Sequence, residues 1–346
     1  MFKRPPFFWY FSSPSLGFKI ALFIFYPFLW ALSFLYKMGA DLRGFFYTPR
    51  AIKIPVICVG NLSLGGAGKT PTCLALYDTL VSMTHVRKKI HFLTRGYKGS
   101  MKGPCRVDLL THLSSDVGDE AIILAQKGPT WVSRNRYEGG LKAEQEGADL
   151  LIMDDGFQNK DLIKKCSFVI VDGSLGFGNQ QIFPLGPLRE ELESGLKRAD
   201  GVIVVGEDLY GVQECVKRYH PALPLFKARI CVDEKASVAL KGKKLVAFSG
   251  IAAPQKFKKT LEAIEGISCA FFPFPDHYAY SSSDLDFLQE QAQKKGAQLV
   301  TTEKDFVRLP SFFQKQVYVV KIALVFEDAE KIKGFLKDQI NEDSFL

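Results

Sequence analysis

The sequence lacks the patterns that several classes of protein require. Its seven cysteines are scattered and form no C-x-x-C pair, and its five histidines form neither an H-E-x-x-H motif nor a cluster with cysteine. These absences argue against a disulfide framework and a structural zinc site, and they predict reduced thiols in a cytosolic setting. The chain also has no repeat of about 20 to 50 residues and no low-complexity tract, which excludes solenoid and array architectures.

The charge of the chain is small and unevenly placed. The 346 residues are 47% hydrophobic and 24% charged, a globular composition with room for about two domains. Of the net charge of +8, most comes from the first 53 residues, which hold seven basic side chains and one acid. Since the rest of the chain is close to balanced, no basic surface for nucleic acid is predicted.

An uncharged segment follows this basic start. Ile20–Tyr36 contains 17 residues rich in Phe, Leu, Trp and Tyr, and it lies between Lys19 and Lys37. Basic flanks and aromatic residues favour a membrane-anchoring helix over residues 1–37, against the alternative of a buried core helix. The length is at the lower limit for a spanning helix, and Pro27 predicts a kink, so spanning and interfacial attachment both stay open.

Short apolar runs, each ending in glycine, aspartate or other polar residues, recur along the rest of the chain. Continuous apolar strands separated by helices predict an α/β fold with a parallel sheet covered on both faces. The predicted helices include 70–83 and 119–126. The predicted strands are 56–59, 90–93, 150–153, 168–171, 202–205, 245–248 and 317–320.

Two prolines, Pro221 and Pro224, interrupt the pattern and mark a domain boundary. The predicted division is an anchoring segment at residues 1–37, a P-loop domain at residues 38–222 and a smaller α/β domain at residues 223–346. Functional loops are expected at the carboxyl ends of the strands.

The first strand leads into a glycine-rich loop that predicts a nucleotide site. Glycines allow backbone N–H groups to approach phosphate, and the following helix start attracts anions. We expect Lys69 to contact the β- and γ-phosphates of ATP and Thr70 to bind Mg²⁺. Ser63 stands where the usual motif has its first glycine, and the alternative is an ordinary turn. The predicted nucleotide-binding residues are Gly65, Gly66, Ala67, Gly68, Lys69 and Thr70.

A second polar cluster ends the strand at residues 150–153. Asp154 and Asp155 follow it, and carboxylates at such a position beside a phosphate loop can bind Mg²⁺ directly or through water. Adjacent residues of an extended strand point in opposite directions, so the two aspartates need not bind one ion. Which of them contacts the metal stays open.

In combination, these motifs resemble the lipid A 4′-kinase (tetraacyldisaccharide 4′-kinase) family. The resemblance extends over nearly the whole chain, and the combination of motifs is more specific than any one of them. The matching stretches are VGNLSLGGAGKTP (59–71), LTRGYKG (93–99), DVGDEA (116–121), DDGFQN (154–159), PLGPLRE (184–190), FPDHY (274–278) and TTEKD (301–305).

The resemblance implies a fold, a reaction and a location. It implies a P-loop NTPase-like domain and a second, smaller Rossmann-like domain, behind an N-terminal hydrophobic membrane helix. It implies transfer of the γ-phosphate of ATP, with Mg²⁺, to the 4′-hydroxyl of tetraacyldisaccharide 1-phosphate in lipid A biosynthesis. It also implies attachment to the cytoplasmic face of the bacterial inner membrane, with a lipid substrate as partner.

The resemblance also implies roles for particular residues. Asp119 looks like the general base with His277 as its partner, Arg189 like a stabiliser of the transferring phosphoryl group, and Asp154 like the acid that supports nucleotide hydrolysis. The acids associated with the metal would be Asp155, Glu190 and Glu120, together with Thr70. The residues facing the sugar substrate would be Arg95, Tyr97 and Gln158.

The chain departs from the family pattern at two positions. Asn159 stands where the family usually has histidine, and an amide cannot act as an acid or base. Ala121 replaces a proline, which removes only a fixed φ at a helix start. Because Asp119, Glu120 and His277 are present, we expect activity to survive both changes.

Two other functions stay open at this level. A membrane-docked P-loop switch NTPase would use the same loop but only hydrolyse nucleotide; the absence of an N-K-x-D sequence argues against its GTPase form. A nonenzymatic membrane adaptor, in which the glycine loop is structural, would not bind ATP.

Overall fold

The computed structural model describes residues 6–10, 16–45, 48–83 and 88–340. A 3₁₀ turn, Phe7–Trp9, precedes the first helix. The strands are β1 (Val56–Gly60), β2 (Ile90–Thr94), β3 (Cys105–Arg106), β4 (Thr130–Val132), β5 (Leu150–Asp154), β6 (Cys166–Asp172), β7 (Gly201–Val205), β8 (Leu225–Val232), β9 (Lys244–Ser249), β10 (Ser268–Pro273), β11 (Gln298–Thr302), β12 (Tyr318–Val320) and β13 (Ile322–Phe326). The helices are α1 (Leu16–Phe45), α2 (Lys69–Met83), α3 (Ser114–Val117), α4 (Asp119–Ala125), α5 (Arg136–Gln145), α6 (Leu192–Lys197), α7 (Val212–Tyr219), α8 (Glu234–Leu240), α9 (Pro254–Glu262), α10 (Ser282–Lys295), α11 (Glu303–Phe306), α12 (Ser311–Gln314) and α13 (Ala329–Ile340).

Nine strands form a large sheet in the order β13-β8-β7-β6-β1-β5-β2-β4-β3. All neighbours pair in parallel except at the two edges, where β13 is antiparallel to β8 and β3 is antiparallel to β4. The central strands β1, β2, β5, β6 and β7 are buried along their whole length. Their continuous apolar sequences therefore form a sheet covered on both faces, as predicted. Each apolar run predicted as a strand contains or overlaps a strand.

Two hydrophobic clusters cover the faces of the large sheet. Side chains alternate along each strand, so Cys58 belongs to one cluster and its neighbours Ile57 and Val59 to the other. Helix α2 packs on the second face through Leu76 and Leu80, which are fully buried. This packing anchors the helix whose first residues are predicted to bind phosphate.

Four strands form a smaller parallel sheet in the order β10-β9-β11-β12. The strand order reverses between β9 and β11, because the chain goes from β9 to β10 on one side and to β11 on the other. In open α/β sheets, ligands bind outside the carboxyl ends of the strands at such a switch point. The loops after these strands carry the residues that face the large sheet.

The topology divides the chain differently from the predicted boundary at residues 222 and 223. Strands β8 and β13, together with α13, belong to the large sheet and its core. The smaller sheet is therefore inserted between β8 and β13, and Ile322 pairs with Val232 where the chain returns. As a division into independent folding units, the predicted boundaries stay a prediction.

The N-terminal segment forms the 30-residue helix α1, with Pro27 inside it. Its C-terminal half packs on the loop at residues 177–191: Ser33 Oγ donates to Ile182 O and accepts from Leu185 N, at 3.0 and 3.1 Å. Within the described ranges, no helix is both long and apolar enough to cross a membrane. The membrane role of this segment stays a prediction.

Candidate active site

The predicted phosphate loop connects β1 to α2, and α2 begins at Lys69. Gly68 has a φ of 88°, and a Cβ there would lie 3.8 Å from Val205 and 3.9 Å from Ile230. Its backbone conformation, more than the space around it, therefore favours glycine. Since α2 begins at Lys69, the N–H groups of its first turn lie at the end of this loop, where a helix start attracts anions.

Lys69 points from this helix start toward the acidic end of β5. Its Nζ lies 3.7 Å from Asp155 Oδ1 and donates to Asn61 Oδ1 at 3.4 Å. Burial lowers the pKa of Lys69 below its usual value, although Asp155 opposes this shift. The ammonium group thus sits between a strand-end carboxylate and the phosphate loop.

Thr70 and Asp154 form a buried pair beside Lys69. Thr70 Oγ1 donates to Asp154 Oδ2 at 2.9 Å, while Asp154 Oδ1 is buried with no hydrogen-bond partner. Burial raises the pKa of Asp154 to about 6. An orphaned buried carboxylate oxygen next to a P-loop hydroxyl is the donor set with which Mg²⁺ is held when phosphates supply its other ligands.

The other predicted metal acids are already paired with cations. Arg189 Nη1 donates to Asp155 Oδ1 at 3.0 Å, and Arg198 forms an ion pair with Glu190. Glu120 pairs with a lysine, described below. Burial raises the pKa of Asp155, but Lys69 and Arg189 outweigh it, so its net pKa lies below the usual value. Within residues 6–10, 16–45, 48–83 and 88–340, no group of three or more His, Cys, Asp or Glu side chains could hold a metal ion.

Gln158 joins the acidic strand end to the loop that carries Arg189. Its Nε2 donates to Asn61 O at 2.9 Å and to Glu190 Oε1 at 3.0 Å, and its Oε1 accepts from Arg189 Nη1 at 3.2 Å. The backbone of the same loop pairs with the phosphate loop, since Arg189 N donates to Leu62 O at 2.7 Å. Gln158 thus links Asn61, Glu190 and Arg189 by hydrogen bonds beside the phosphate loop.

Asp119 lies at the start of α4 and meets two residues from the smaller sheet. Its Oδ2 is 2.9 Å from His277 Nδ1 and accepts from Arg308 Nε at 2.8 Å and Nη2 at 2.5 Å. Burial raises the pKa of Asp119, but the hydrogen bonds from His277 and Arg308 outweigh it and the net pKa is lowered. The structure therefore brings together the pair that the resemblance implies, and it adds an arginine.

Lys304 makes a second contact between the two sheets. Its Nζ lies 2.6 Å from Glu120 Oε1, whereas Glu120 Oε2 is buried without a partner. Burial lowers the pKa of Lys304, but Glu120 outweighs it, so its net pKa is raised. Lys304 belongs to the TTEKD motif at the carboxyl end of β11, whose side-chain roles were not predicted. That strand-end position is the sequence signal that could have identified it.

Tyr97 reaches the same place from the loop after β2. The centroid of its ring lies 5.8 Å from that of the His277 ring, in a T-shaped arrangement. Gly118, with a φ of 91°, allows the backbone of Tyr97 to pass close to the start of α4, because a Cβ at residue 118 would lie 2.6 Å from Tyr97 O. Arg95, the other predicted sugar-facing residue of this loop, is exposed. Its charge acts on the buried Arg136, whose pKa burial and then Arg95 lower to about 10.

Backbone strain is concentrated near these groups. Asp155 and His277 have φ values of 50° and 57°, and they are among the four described non-glycine residues with a positive φ. Such conformations are maintained only where the surroundings impose them, and they are frequent at functional sites.

Asn159, which stands where the family usually has histidine, stabilises a local turn: its Oδ1 accepts a hydrogen bond from Leu162 N at 3.4 Å.

A cavity of about 280 Å³ lies along the end of β7 and the first half of β8. It is on the face of the large sheet opposite helix α2, because Val204 and Leu225 pack with that face. Its lining combines acidic, basic and apolar groups from Val204, Gly206, Glu207, Asp208, Leu225, Lys227, Arg229 and Glu327.

The fold and the site define an α/β phosphotransferase, with a nucleotide loop on one sheet and a carboxylate–imidazole pair across the cleft. The sequence profile of the tetraacyldisaccharide-1-P 4′-kinase family matches residues 25–341. The chain is 48% identical to the tetraacyldisaccharide 4′-kinase of Rhodospirillum rubrum, over 80% of this chain and 82% of that protein. It is 45% identical to the one from Paramagnetospirillum magneticum, over 83% and 86%.

A solved structure agrees with these relatives. LpxK from Aquifex aeolicus, crystallised in complex with ATP, is similar with a TM-score of 0.69 and 27% identity, over 90% of this chain and 98% of that chain. The chain belongs to the tetraacyldisaccharide-1-P 4′-kinase family, and the resemblance seen in the sequence is confirmed. It is a kinase that uses ATP.

Proposed function

We propose that the protein transfers the γ-phosphoryl group of ATP to the 4′-hydroxyl of tetraacyldisaccharide 1-phosphate, with Asp119 as the base. The supporting observation is the contact of Asp119 with His277 across the cleft, at 2.9 Å. All described contacts of Asp119 are made to Oδ2. Oδ1 is thus left to accept the hydroxyl proton, while His277 and Arg308 hold the carboxylate in place.

The lowered pKa of Asp119 suits this reaction. Burial alone would raise that pKa, but the hydrogen bonds from His277 and Arg308 reverse the shift and keep the group ionised at neutral pH. Phosphoryl transfer passes through a loose transition state that needs little base strength and much positioning. An ionised, fixed carboxylate is therefore more useful than a strong but mobile base.

On the donor side, we assign the γ-phosphate to Lys69 and the loop N–H groups, and Mg²⁺ to Thr70 and Asp154. The orphaned Oδ1 of Asp154 supports that assignment. When bound, Mg²⁺ would neutralise charge on the β- and γ-phosphates. To Arg189, which donates to Asp155 in this structure, we assign the stabilisation of charge on the transferring group once Arg189 is released from that aspartate.

The central test is a transfer assay with γ-labelled ATP, Mg²⁺, detergent and tetraacyldisaccharide 1-phosphate. We expect label in the lipid, and a kcat about 10²- to 10⁴-fold lower in Asp119→Asn with the KM for ATP little changed. Asp78→Asn, at an exposed ion pair with Lys127, is the control. ATP hydrolysis without labelled lipid would favour a switch NTPase, and normal turnover by Asp119→Asn would remove its role as base.

We also propose that α1 attaches the protein to the cytoplasmic face of the inner membrane. Its exposed side carries aromatic residues, including a stacked pair, Trp30 and Phe34, with ring centroids 6.0 Å apart. Aromatic residues with basic flanks are typical of interfacial helices. Deleting residues 1–37 would test this poorly, because it would also remove Ser33 and its support of the loop at residues 177–191.

A more specific test of membrane attachment leaves the side of α1 that contacts the loop at residues 177–191 unchanged and substitutes only exposed residues of the helix. Phe28→Ser, Trp30→Ser and Phe34→Ser in one chain should move the protein from the membrane to the soluble fraction, without loss of kinase activity on detergent-dispersed substrate. Val238→Ser, at an exposed apolar position on α8, is the control. Unchanged membrane retention would assign attachment to another surface.

A further inference from the structure

An apolar loop tip projects beside Asp119. We call residues Asp108–Leu113 the leucine tip. Leu110 is 95% exposed, Leu113 69% and Leu109 47%. Single exposed leucines are ordinary on a protein surface, but three within five residues on one projecting loop form an apolar point that water solvates poorly.

Hydrogen bonds hold the leucine tip in this conformation. Asp108 Oδ1 accepts from Leu110 N at 2.9 Å, and Asp108 Oδ2 accepts from Thr111 Oγ1 at 3.1 Å. Asp108 N donates to His112 Nδ1 at 3.0 Å, and Asp116 Oδ2 accepts from the N–H of Leu113 at 2.8 Å. These hydrogen bonds hold the turn so that the leucines point outward. Little conformational entropy of the loop would therefore be lost on binding.

The leucine tip is connected directly to the acceptor side of the cleft. It leads into α3, and Asp119 lies six residues after Leu113. The segment after the tip also pairs with the loop that carries Tyr97, since Ser100 N donates to Ser115 O at 3.0 Å. Whatever the tip binds is thus held close to the base and to the ring that meets His277.

The surface next to the leucine tip is basic. Lys98, Lys102 and Arg106 are exposed, and Arg106 has a neighbouring acid, Glu146, at 3.6 Å. Between residues 96 and 113 the only acid is Asp108, whose oxygens are engaged within the turn. An apolar point with a cationic border is complementary to a surface with anionic headgroups above hydrocarbon.

We propose that the leucine tip inserts into a bilayer surface containing anionic lipid and holds the acceptor cleft against it. This inference rests on the proposed function in one respect, that the acceptor is a lipid. A single interfacial helix would leave the molecule free to rotate about that attachment. A second contact beside Asp119 fixes the orientation, so that the sugar of a lipid substrate needs only a small displacement from the membrane to reach the base.

The direct test places a tryptophan at the tip. Because Trp30 on α1 should itself respond to vesicles, each variant is compared with the unmodified chain. Leu110→Trp should show a larger blue shift of emission with phosphatidylglycerol-containing vesicles, and stronger quenching by brominated acyl chains, than the unmodified chain. Val238→Trp, at a position 73% exposed on α8, is the matched control and should add neither change to the response of the unmodified chain. If the tryptophans at both positions respond alike, or if Leu110→Trp responds no more than the unmodified chain, the tip does not insert.

A second variant measures what the tip contributes to binding. Leu109→Ser, Leu110→Ser and Leu113→Ser in one chain should lower the vesicle partition coefficient about tenfold or more, since even partial burial of leucines is worth that factor. Transfer to detergent-dispersed acceptor should stay normal, so that a missing kinase activity in every protein would count against the proposed function and not against the tip. Unchanged partition, or loss of self-association in its place, would overturn the proposal.

Discussion

Arg308, like His277, holds the carboxylate of Asp119 in place and lowers its pKa. It donates two hydrogen bonds to Asp119 Oδ2, and its Nη1 donates to Gly250 O at 2.9 Å and to Asp305 Oδ1 at 3.2 Å. Asp305 is fully buried and also accepts from Gly250 N. Arg308 is thus a positioning residue whose own orientation is set by the smaller sheet.

We predict that Arg308→Gln shifts the acidic limb of the kcat/KM profile to higher pH and lowers kcat at least tenfold. Asp119 would keep the burial that raises its pKa and lose a partner that lowers it, so it would protonate at a higher pH. His277, Glu120 and Lys304 also act on this group and are unchanged in the variant. Arg308→Lys should give a smaller shift, and an unmoved acidic limb would contradict the role.

Residue motifs alone could identify Asp119 and His277 only through resemblance, and they did not identify Arg308. Its position, three residues after the TTEKD motif, gives no spacing that relates it to Asp119, 189 residues earlier. The contact arises because the chain after β11 and α11 brings Arg308 to Asp119. Asn159, in contrast, makes its hydrogen bonds to residues close to it in the sequence, within a local turn.

At the scale of elements, β2 contains a buried histidine that is kept neutral. His91 is 3% exposed, and its Nδ1 accepts from Trp131 Nε1 at 3.3 Å. Burial lowers the pKa of His91 to about 4. The unfolded chain would bind a proton near pH 6.5, where the folded chain does not.

Stability should therefore fall as the pH is lowered from about 6.5 to 4, because only the unfolded state gains the proton there. The shift corresponds to about 3 kcal/mol in the free energy of unfolding. Denaturant unfolding at several pH values measures it. His91→Gln keeps an acceptor for Trp131 and should show a correspondingly smaller pH dependence over this range. Identical pH dependence in both proteins would show that His91 does not titrate in this way.

Helix α1 supports the nucleotide side of the site as well as its proposed membrane attachment. Ser33 holds the loop at residues 182–185, and the same loop pairs with the phosphate loop where Leu64 N donates to Pro187 O at 2.7 Å. A chain of backbone contacts thus leads from α1 to the residues that carry Arg189.

Ser33→Ala should lower the free energy of unfolding by about 1–3 kcal/mol, because the buried Leu185 N–H loses its acceptor. Chemical unfolding measures the change. Ser82→Ala removes an exposed serine that donates to Thr79 O of its own helix, and it should change stability far less. Equal effects of the two substitutions would show that the contact of α1 with this loop adds no stability.

At the scale of the molecule, ion pairs join the two sheets around the cleft. Lys304 meets Glu120, and Lys256 on α9 meets Asp172 at the carboxyl end of β6. Both lysines come from the smaller sheet's layer and both acids from the large sheet's layer. The carboxyl ends of the two sheets therefore face each other, and this arrangement brings Asp119 and His277 together.

We predict a coupling energy of about 1–3 kcal/mol between Glu120 and Lys304 in a double-mutant cycle of Glu120→Gln and Lys304→Met. The carboxylate is buried, so removing the lysine leaves a charge without its partner. The exposed pair Glu193 and Lys197 is the control and should couple by about 0.3–0.5 kcal/mol. Additive effects of the two substitutions at Glu120 and Lys304 would rule out a stabilising bridge between the sheets.

The sequence by itself determined what depends on neighbours along the chain. Apolar runs such as Val56–Val59 predict buried strands, and Gly68-Lys69-Thr70 at the start of a helix predicts an anion site made by the backbone of a single turn. The α/β fold, the phosphate loop and the family all followed from such local patterns.

Only the tertiary structure decided what depends on strand order and on the approach of the two sheets. It placed β8 and β13 in the large sheet, joined Arg308 to Asp119, and left Asp154 rather than Asp155 with an unpaired oxygen next to Thr70. Residues far apart in the chain meet because packing brings whole elements together. No spacing in the sequence specifies which side chains then face each other.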